Sequence, residues 1–181
     1  MDLTGKICVI TGASSGIGQS LAIKISLKGA TVVMAARRNS KLITIKEKID
    51  NEGGKCIGIK TDITKKLECK YLIDETINLY GKIDILINNA GINITGPIET
   101  ANMSDIKKVF DTNFFSHVNM IQKVLPNMRS NNKGLIINIT SIAGYLGLPY
   151  WGTYCASKSS FNLIAESLNI ELKKYNINVV N

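Results

Sequence analysis

A chain of 181 residues can bury the core of one ordinary domain but not two, and 45% hydrophobic residues, 20% charged residues and only three prolines exclude a disordered polymer. A formal charge of +8 raises nucleic acid as a partner, yet Lys65-Lys66, Lys107-Lys108 and Lys173-Lys174 fall on separate expected helices, without a clustered patch or interleaved aromatics. No apolar run nears the ~18 residues of a membrane span, and cysteines at 8, 56, 69 and 155 show neither CxxC metal spacing nor the density of a disulfide scaffold.

Apolar runs alternate with amphipathic stretches, the pattern of a parallel sheet with crossover helices. Strands are expected at 6–10, 31–35, 55–60, 83–87, 135–139 and 177–180, rich in Ile and Val as strands covered on both faces should be. The first runs into Thr11-Gly12-Ala13-Ser14-Ser15-Gly16-Ile17-Gly18 and a helix at 16–28. Further helices are expected at 41–51 and 65–80, and Gly29, Gly53-Gly54 and Gly81 suit left-handed helix ends. Two longer helices follow, 104–129 with a bend at Pro126, and 152–175. Both carry more apolar residues than one sheet-facing stripe needs, among them Phe110, Phe114, Phe115, Leu163 and Leu168. Packing of these helices against a twin subunit is the expectation, as a homodimer or homotetramer.

The loop after the first strand gathers Gly12, Gly16 and Gly18 where a helix begins, with Ser14, Ser15 and Ile17 between them. Free backbone N–H groups and the positive end of the helix dipole suit a pyrophosphate there, and missing side chains let it approach. The spacing departs from GxGxxG, with three residues between the first two glycines. NAD sites place a carboxylate at the end of the second strand, but this chain has Ala35-Ala36-Arg37-Arg38. Two guanidinium groups would attract a 2′-phosphate, so NADP(H) is preferred, with NAD(H) left open. Downstream, Tyr154 and Lys158 stand one helical turn apart, where the ammonium can stabilise the phenolate and fit the phenol for proton transfer near neutral pH.

The motifs TGxxxGIG at 11–18, Asn88-Asn89-Ala90-Gly91, Asn113, Ser141 and YxxxK at 154–158 occur in register, and in that order the chain resembles the non-extended branch of the short-chain dehydrogenase/reductase superfamily. The resemblance implies a Rossmann-like α/β fold, a doubly wound parallel sheet with six strands present and the family's seventh missing, over 1–181 as one dinucleotide-binding domain. It implies an oxidoreductase interconverting a carbonyl and a secondary alcohol, with Tyr154 as general acid or base, Ser141 bonding the substrate oxygen and Lys158 holding the nicotinamide ribose. Asn113 would organise a water that relays protons through Lys158. Asp62 and Ile63 would meet the adenine, while Asn89, Ala90 and Gly91 line the adenosine ribose. Asp62 also reads as a turn residue before Thr64, and His117 as a helix-surface residue.

The chain stops at Asn181, in or just after the sixth expected strand, where family members continue through a substrate loop and a seventh strand. An incomplete domain, an incomplete enzyme and an open substrate pocket are therefore expected. The flanks of Tyr154 resemble members acting on lipophilic carbonyls. The expected protein is cytoplasmic, binds a small-molecule carbonyl or alcohol, and has no metal, nucleic acid or membrane span. The alternative is a dinucleotide-binding module without turnover, a sensor or scaffold subunit.

Overall fold

A computed structural model describes residues 2–181. Six strands form one all-parallel sheet: β1 (Ile7–Thr11), β2 (Thr31–Ala36), β3 (Lys55–Lys60), β4 (Ile85–Asn88), β5 (Gly134–Asn138) and β6 (Ile177–Val180). Helices α1 (Gly16–Ser26), α2 (Asn39–Asn51) and α3 (Lys66–Tyr80) join the first four strands. Between β4 and β5 run α4 (Met103–Phe110) and α5 (Ser116–Ser130), and α6 (Gly152–Leu172) leads to β6. The order β3-β2-β1-β4-β5-β6 makes the sheet doubly wound, with its crossover direction reversing between β1 and β4. In such sheets ligands sit at the carboxyl ends of the strands beside that reversal.

Alternation along each strand divides the core between two faces. Val9, Val33, Leu86 and Ile136 point to a cluster filled by α3, α5 and α6, including Leu72, Met120, Val124 and Phe161. Cys8, Ile10, Met34 and Ile87 point the other way, against Ala22 of α1 and Leu42, Ile45 and Ile49 of α2. The inner strands β1, β2 and β4 are buried on both faces, which explains their continuous apolar runs, whereas the edge strands β3 and β6, expected to be covered likewise, alternate buried with exposed positions such as Lys55 and Asn178. At the far ends of β4 and β5, Asn88 and Asn138 face each other in register, and the Asn88 amide donates to Asn138 Oδ1 at 3.0 Å.

The expected helix at 104–129 contains a feature that its pattern does not announce. Between α4 and α5, Asp111–Phe115 forms a π-helical turn, so one extra residue is inserted into an otherwise continuous helix. Pro126 lies inside α5, which runs on to Ser130. The π turn changes the helical phase, and with it the fate of His117. Read as a surface residue, His117 is completely buried, its ring 5.0 Å from that of Phe161. Burial, with the charge of Lys158 nearby, pushes its pKa down to about 3, so the ring is neutral.

At the opposite end of the sheet, Asp84 joins β1 to β4. Its carboxylate accepts the Ile7 N–H at 2.9 Å and faces Lys82 at 2.9 Å and Lys6 at 3.4 Å. Burial pushes the Asp84 pKa up, but the Ile7 N–H, then Lys82 and Lys6, outweigh it and the net shift is downward. A depressed folded-state pKa contributes stability that is present above the ordinary carboxylate value near ~4 and is lost as pH falls through the folded value. Asp84→Ala should therefore cost about 1–3 kcal/mol at pH 7, because the buried Ile7 N–H loses its acceptor. Urea unfolding of both proteins between pH 7 and 2 should show the difference shrinking below about pH 4.

Candidate active site

The carboxyl ends of β1 and β4 are tied together before any ligand is considered. Thr11 Oγ1 donates to the Ile87 carbonyl and accepts the N–H groups of Asn89 and Ala90 at 3.0 and 3.2 Å. The Asn89 amide in turn donates to the carbonyls of Thr11 and Gly12 at 2.9 and 3.2 Å. That packing is close enough to dictate two glycines. A Cβ on Gly12 would lie 2.7 Å from Ala90 Cα, and one on Gly18 would lie 2.4 Å from Asn89 Nδ2 and 2.6 Å from the Gly12 oxygen. Gly16 has open space around it but a φ of +57°, a conformation that favours glycine. The glycines thus serve different ends: Gly12 lines the cleft, Gly18 lets α1 approach the β4 loop, and Gly16 makes the turn.

From this loop a cleft of about 680 Å³ crosses the ends of the strands. Gly12, Ser14, Ser15 and Ile17 line one stretch, with Ala36 at the end of β2, Arg37 and Arg38 just after it, and Asp62 and Ile63 after β3. Asn89, Ala90 and Gly91 form the middle, and Tyr154 and Lys158 close the far end. Thr61, Thr64, Ile92, Asn93, Thr112, Ile139 and Thr140, none of them expected at the site from the sequence, also line it. No motif marks them; they lie within a few residues of strand ends or motif residues, and adjacency to a strand terminus was the usable signal. Gly16, Gly18, Asn113 and Ser141 are not on the cleft wall.

The two arginines are held differently. Arg38 donates from Nη2 to Ser14 Oγ at 2.9 Å and Ser15 Oγ at 2.7 Å, so its guanidinium lies over the glycine loop. Arg37 is exposed and its charge acts on Asp62. Asp62 Oδ1 accepts the N–H and hydroxyl of Thr64, the turn-residue role that the sequence also allowed. Burial raises the Asp62 pKa, but the Thr64 bonds and Arg37 bring the net shift below the ordinary value.

At the far end, Lys158 is 3% exposed and donates to the Ile139 carbonyl at 2.8 Å, with Nζ 5.8 Å from the centre of the Tyr154 ring. Burial pulls its pKa down to about 8. Gly91 is beside it: a Cβ there would lie 3.8 Å from Lys158 Nζ and 3.4 Å from Asn113 Oδ1. Ser141 caps the short turn Ile142–Gly144 by accepting the Ala143 N–H. That turn presses on α6, since a Cβ on Gly144 would lie 3.2 Å from the backbone of Lys158. Asn113 sits in the π turn, fully buried, with its amide committed to protein partners: Ile92 N–H to Oδ1 at 2.9 Å, and Nδ2 to the Ile92 carbonyl and Ser157 Oγ.

The model of the short chain dehydrogenase family matches residues 6–181. The chain belongs to that family. It is 38% identical over 174 residues, 96% of its length, to the 3-ketodihydrosphingosine reductase of Bacteroides thetaiotaomicron, of which it covers 61%. An 11-beta-hydroxysteroid dehydrogenase from Pinus massoniana is 39% identical over 94% of the chain, which spans 48% of that relative. Among solved structures, a 7 alpha-hydroxysteroid dehydrogenase complexed with NADH superposes with a TM-score of 0.95 at 33% identity, covering 99% of this chain and 70% of that one. The NAD+-bound xylitol dehydrogenase gives 0.95 at 27%, with 99% and 69% covered. Those curated relatives are thus matched over about half to three fifths of their own length. Among the described residues no helix is long and apolar enough to cross a membrane, and no cluster of His, Cys, Asp and Glu could hold a metal.

The glycine geometry can be tested without ligand. Gly18→Ala forces a methyl group against backbone and should destabilise by about 1–3 kcal/mol. Gly16→Ala meets open space and should cost only the ~1–2 kcal/mol of a left-handed residue. Thermal melting of the two variants beside the parent gives the comparison; a more stable Gly18→Ala would contradict the close approach.

Proposed function

We propose that the chain carries the cofactor site and catalytic residues of an NADP(H)-dependent oxidoreductase that interconverts a carbonyl and a secondary alcohol. The observation that carries this reading is the shared cleft: Tyr154 and the buried Lys158 stand at one end of a continuous trough whose other stretches are lined by Gly12, Ala36, Asp62 and Asn89. Family membership and the relatives named above support it. The donor set fits a dinucleotide, because the approach of Gly12 to Ala90 and the absence of any side chain on Gly91 leave a bare backbone cradle. Gly12, Ser14, Ser15 and Ile17 would meet the pyrophosphate, and Asp62, Ile63, Asn89, Ala90 and Gly91 the adenosine half. A bound nicotinamide supplies or accepts the hydride.

The protein's own work is to bind, orient and move a proton. Lys158 keeps a positive charge in a buried place beside the Tyr154 ring, where it stabilises the phenolate left after proton donation. Tyr154 would give that proton to the substrate oxygen in reduction and take it back in oxidation. Ser141, on the turn packed against α6, would add a hydrogen bond to the same oxygen as charge develops. The exposed Ile142, Tyr145, Leu146, Tyr150 and Trp151 between Ser141 and Tyr154 support a lipophilic substrate. No charged residue interrupts the stretch from Gly134 to Ser157. Exposed Met103, Phe115, Leu163 and Ile170 on α4, the π turn and α6 support self-association through these helices.

For the 2′-phosphate the geometry favours Arg38, already stationed over the glycine loop on Ser14 and Ser15, with Arg37 as the second cation. Charge-assisted bonds of this kind support a preference for NADP(H) over NAD(H) of roughly 10- to 1000-fold. Arg38→Ala should remove most of it and Arg37→Ala less, as read from the Kd for NADPH and NADH by quenching of Trp151 fluorescence or by calorimetry. Equal affinities in the parent would refute the preference. Tyr154→Phe should lower turnover by at least the ~10²-fold typical of general-acid loss while NADPH still binds. Undiminished turnover would remove Tyr154 from the mechanism, and binding without turnover of any carbonyl or alcohol by the parent would favour the non-catalytic module.

A further inference from the structure

The motif around the tyrosine contains a residue to which neither the sequence reading nor the proposed mechanism gives a task. Ser157, between Tyr154 and Lys158 in sequence, is completely buried although its side chain is polar. Its hydroxyl is used twice. It donates to the carbonyl of Tyr154 at 2.8 Å and accepts from Asn113 Nδ2 at 3.1 Å. A serine bonding back one turn along its own helix is common. A second bond from the same oxygen to an amide on another element is a tertiary connection between two helices.

Following that connection outward gives its meaning. Asn113 grips both backbone groups of Ile92, taking the N–H at 2.9 Å and donating to the carbonyl at 2.9 Å. Ile92 belongs to the wall of the cleft and follows Gly91, the residue beside Lys158 Nζ. Asn113 can meet Ile92 and Ser157 together because it stands in the π turn, whose extra residue turns its side chain out of the phase of α4. We propose that Ser157 is a positioning residue, whose hydroxyl fastens the α6 turn bearing Tyr154 and Lys158 to the Asn113–Ile92 clamp and so fixes the proton donor against the cleft wall. Both N–H donors of the Asn113 amide are then engaged, and its oxygen accepts the Ile92 N–H. Without the Ser157 oxygen one of those N–H groups is buried with no acceptor, and the clamp loosens. The assignment rests on the reading of Tyr154 as proton donor, but the clamp itself can be read without turnover.

Ser157→Ala removes one oxygen and leaves helix propensity intact, and Ser157→Cys serves as a slightly larger variant that keeps a weak hydrogen-bonding group. In amide hydrogen exchange the Ile92 N–H should exchange at least ~10-fold faster in Ser157→Ala, with the amides of β1 and β2 unchanged. In the protein turning over a carbonyl with NADPH, kcat should fall roughly 10- to 100-fold, the scale of an ångström of misplacement, while KM for NADPH stays within about threefold. Ser157→Cys should fall between the parent and Ser157→Ala in both measurements. Unchanged protection of Ile92 overturns the clamp, and faster exchange with kcat undiminished overturns the positioning role. A fall in kcat matched by loss of β1 and β2 protection would make Ser157 merely structural. Absence of turnover in the parent would count against the proposed function instead, with the exchange measurement still deciding the clamp.

Discussion

The geometry of this molecule turns on the junction of β1 and β4, where the sheet reverses its direction of winding. Parallel strands leave their carboxyl ends splayed at such a point, and the crevice has to be held to a fixed width for a ligand to span it. Here a threonine hydroxyl and an asparagine amide supply the staple: Thr11 Oγ1 takes two N–H groups of the β4 loop, and Asn89 Nδ2 reaches back to two carbonyls of the β1 loop. Each bond satisfies a backbone group that would otherwise face a crevice without a ladder partner. The glycines follow from the staple, because only backbone without side chains at 12 and 18 fits the distance it sets. The bare backbone of the loop is thus partly a by-product of tight packing.

A second theme is the burial of charge at the far end of the cleft. An ammonium taken out of water is costly unless its protons find acceptors, and Lys158 finds the Ile139 carbonyl. Its pKa of about 8 against an ordinary value of 10.5 means that burial works against the fold. Unfolding lets the group take up protons, so this lysine lowers stability increasingly as pH falls from about 10 to 8, and by a constant amount below that. A fold that retains such a group retains it for what the charge does locally. His117 on α5 shows the complementary solution, a ring kept neutral where a second cation would repel the first.

Much of this was legible in the sequence for simple reasons. The inner strands, buried on both faces, read as Ile/Val runs, and the glycine loop, the tyrosine–lysine turn and the basic end of β2 are local in the chain. The parallel, doubly wound character of the sheet followed from alternation and resemblance together, whereas the order of the strands needed the structure. What escaped detection depends on phase and on distance. Residues 104–129 carry a helical pattern throughout, but the π turn at Asp111–Phe115 rotates everything after it, so an amphipathic reading made on one side misplaces His117 on the other. Asn113 was found as a motif residue, yet its partners Ile92 and Ser157 lie 21 and 44 residues away, and no periodicity connects them. The division of labour between Arg37 and Arg38 likewise needed the positions of Ser14 and Ser15.

The four cysteines, which carry no chemistry in the proposed mechanism, have a practical meaning of their own. Cys8, Cys56, Cys69 and Cys155 are all free and buried, spread over β1, β3, α3 and α6. Burial pushes the Cys56 and Cys69 thiols up to about 11 and Cys8 upward as well, which leaves almost no thiolate at neutral pH. Modification of these buried sulfurs by a thiol reagent must then wait for the chain to open, and each cysteine reports on its own strand or helix. The molecule thereby carries its own set of clocks for local unfolding: the order in which these sulfurs become reactive would map which elements open first, without any probe being introduced.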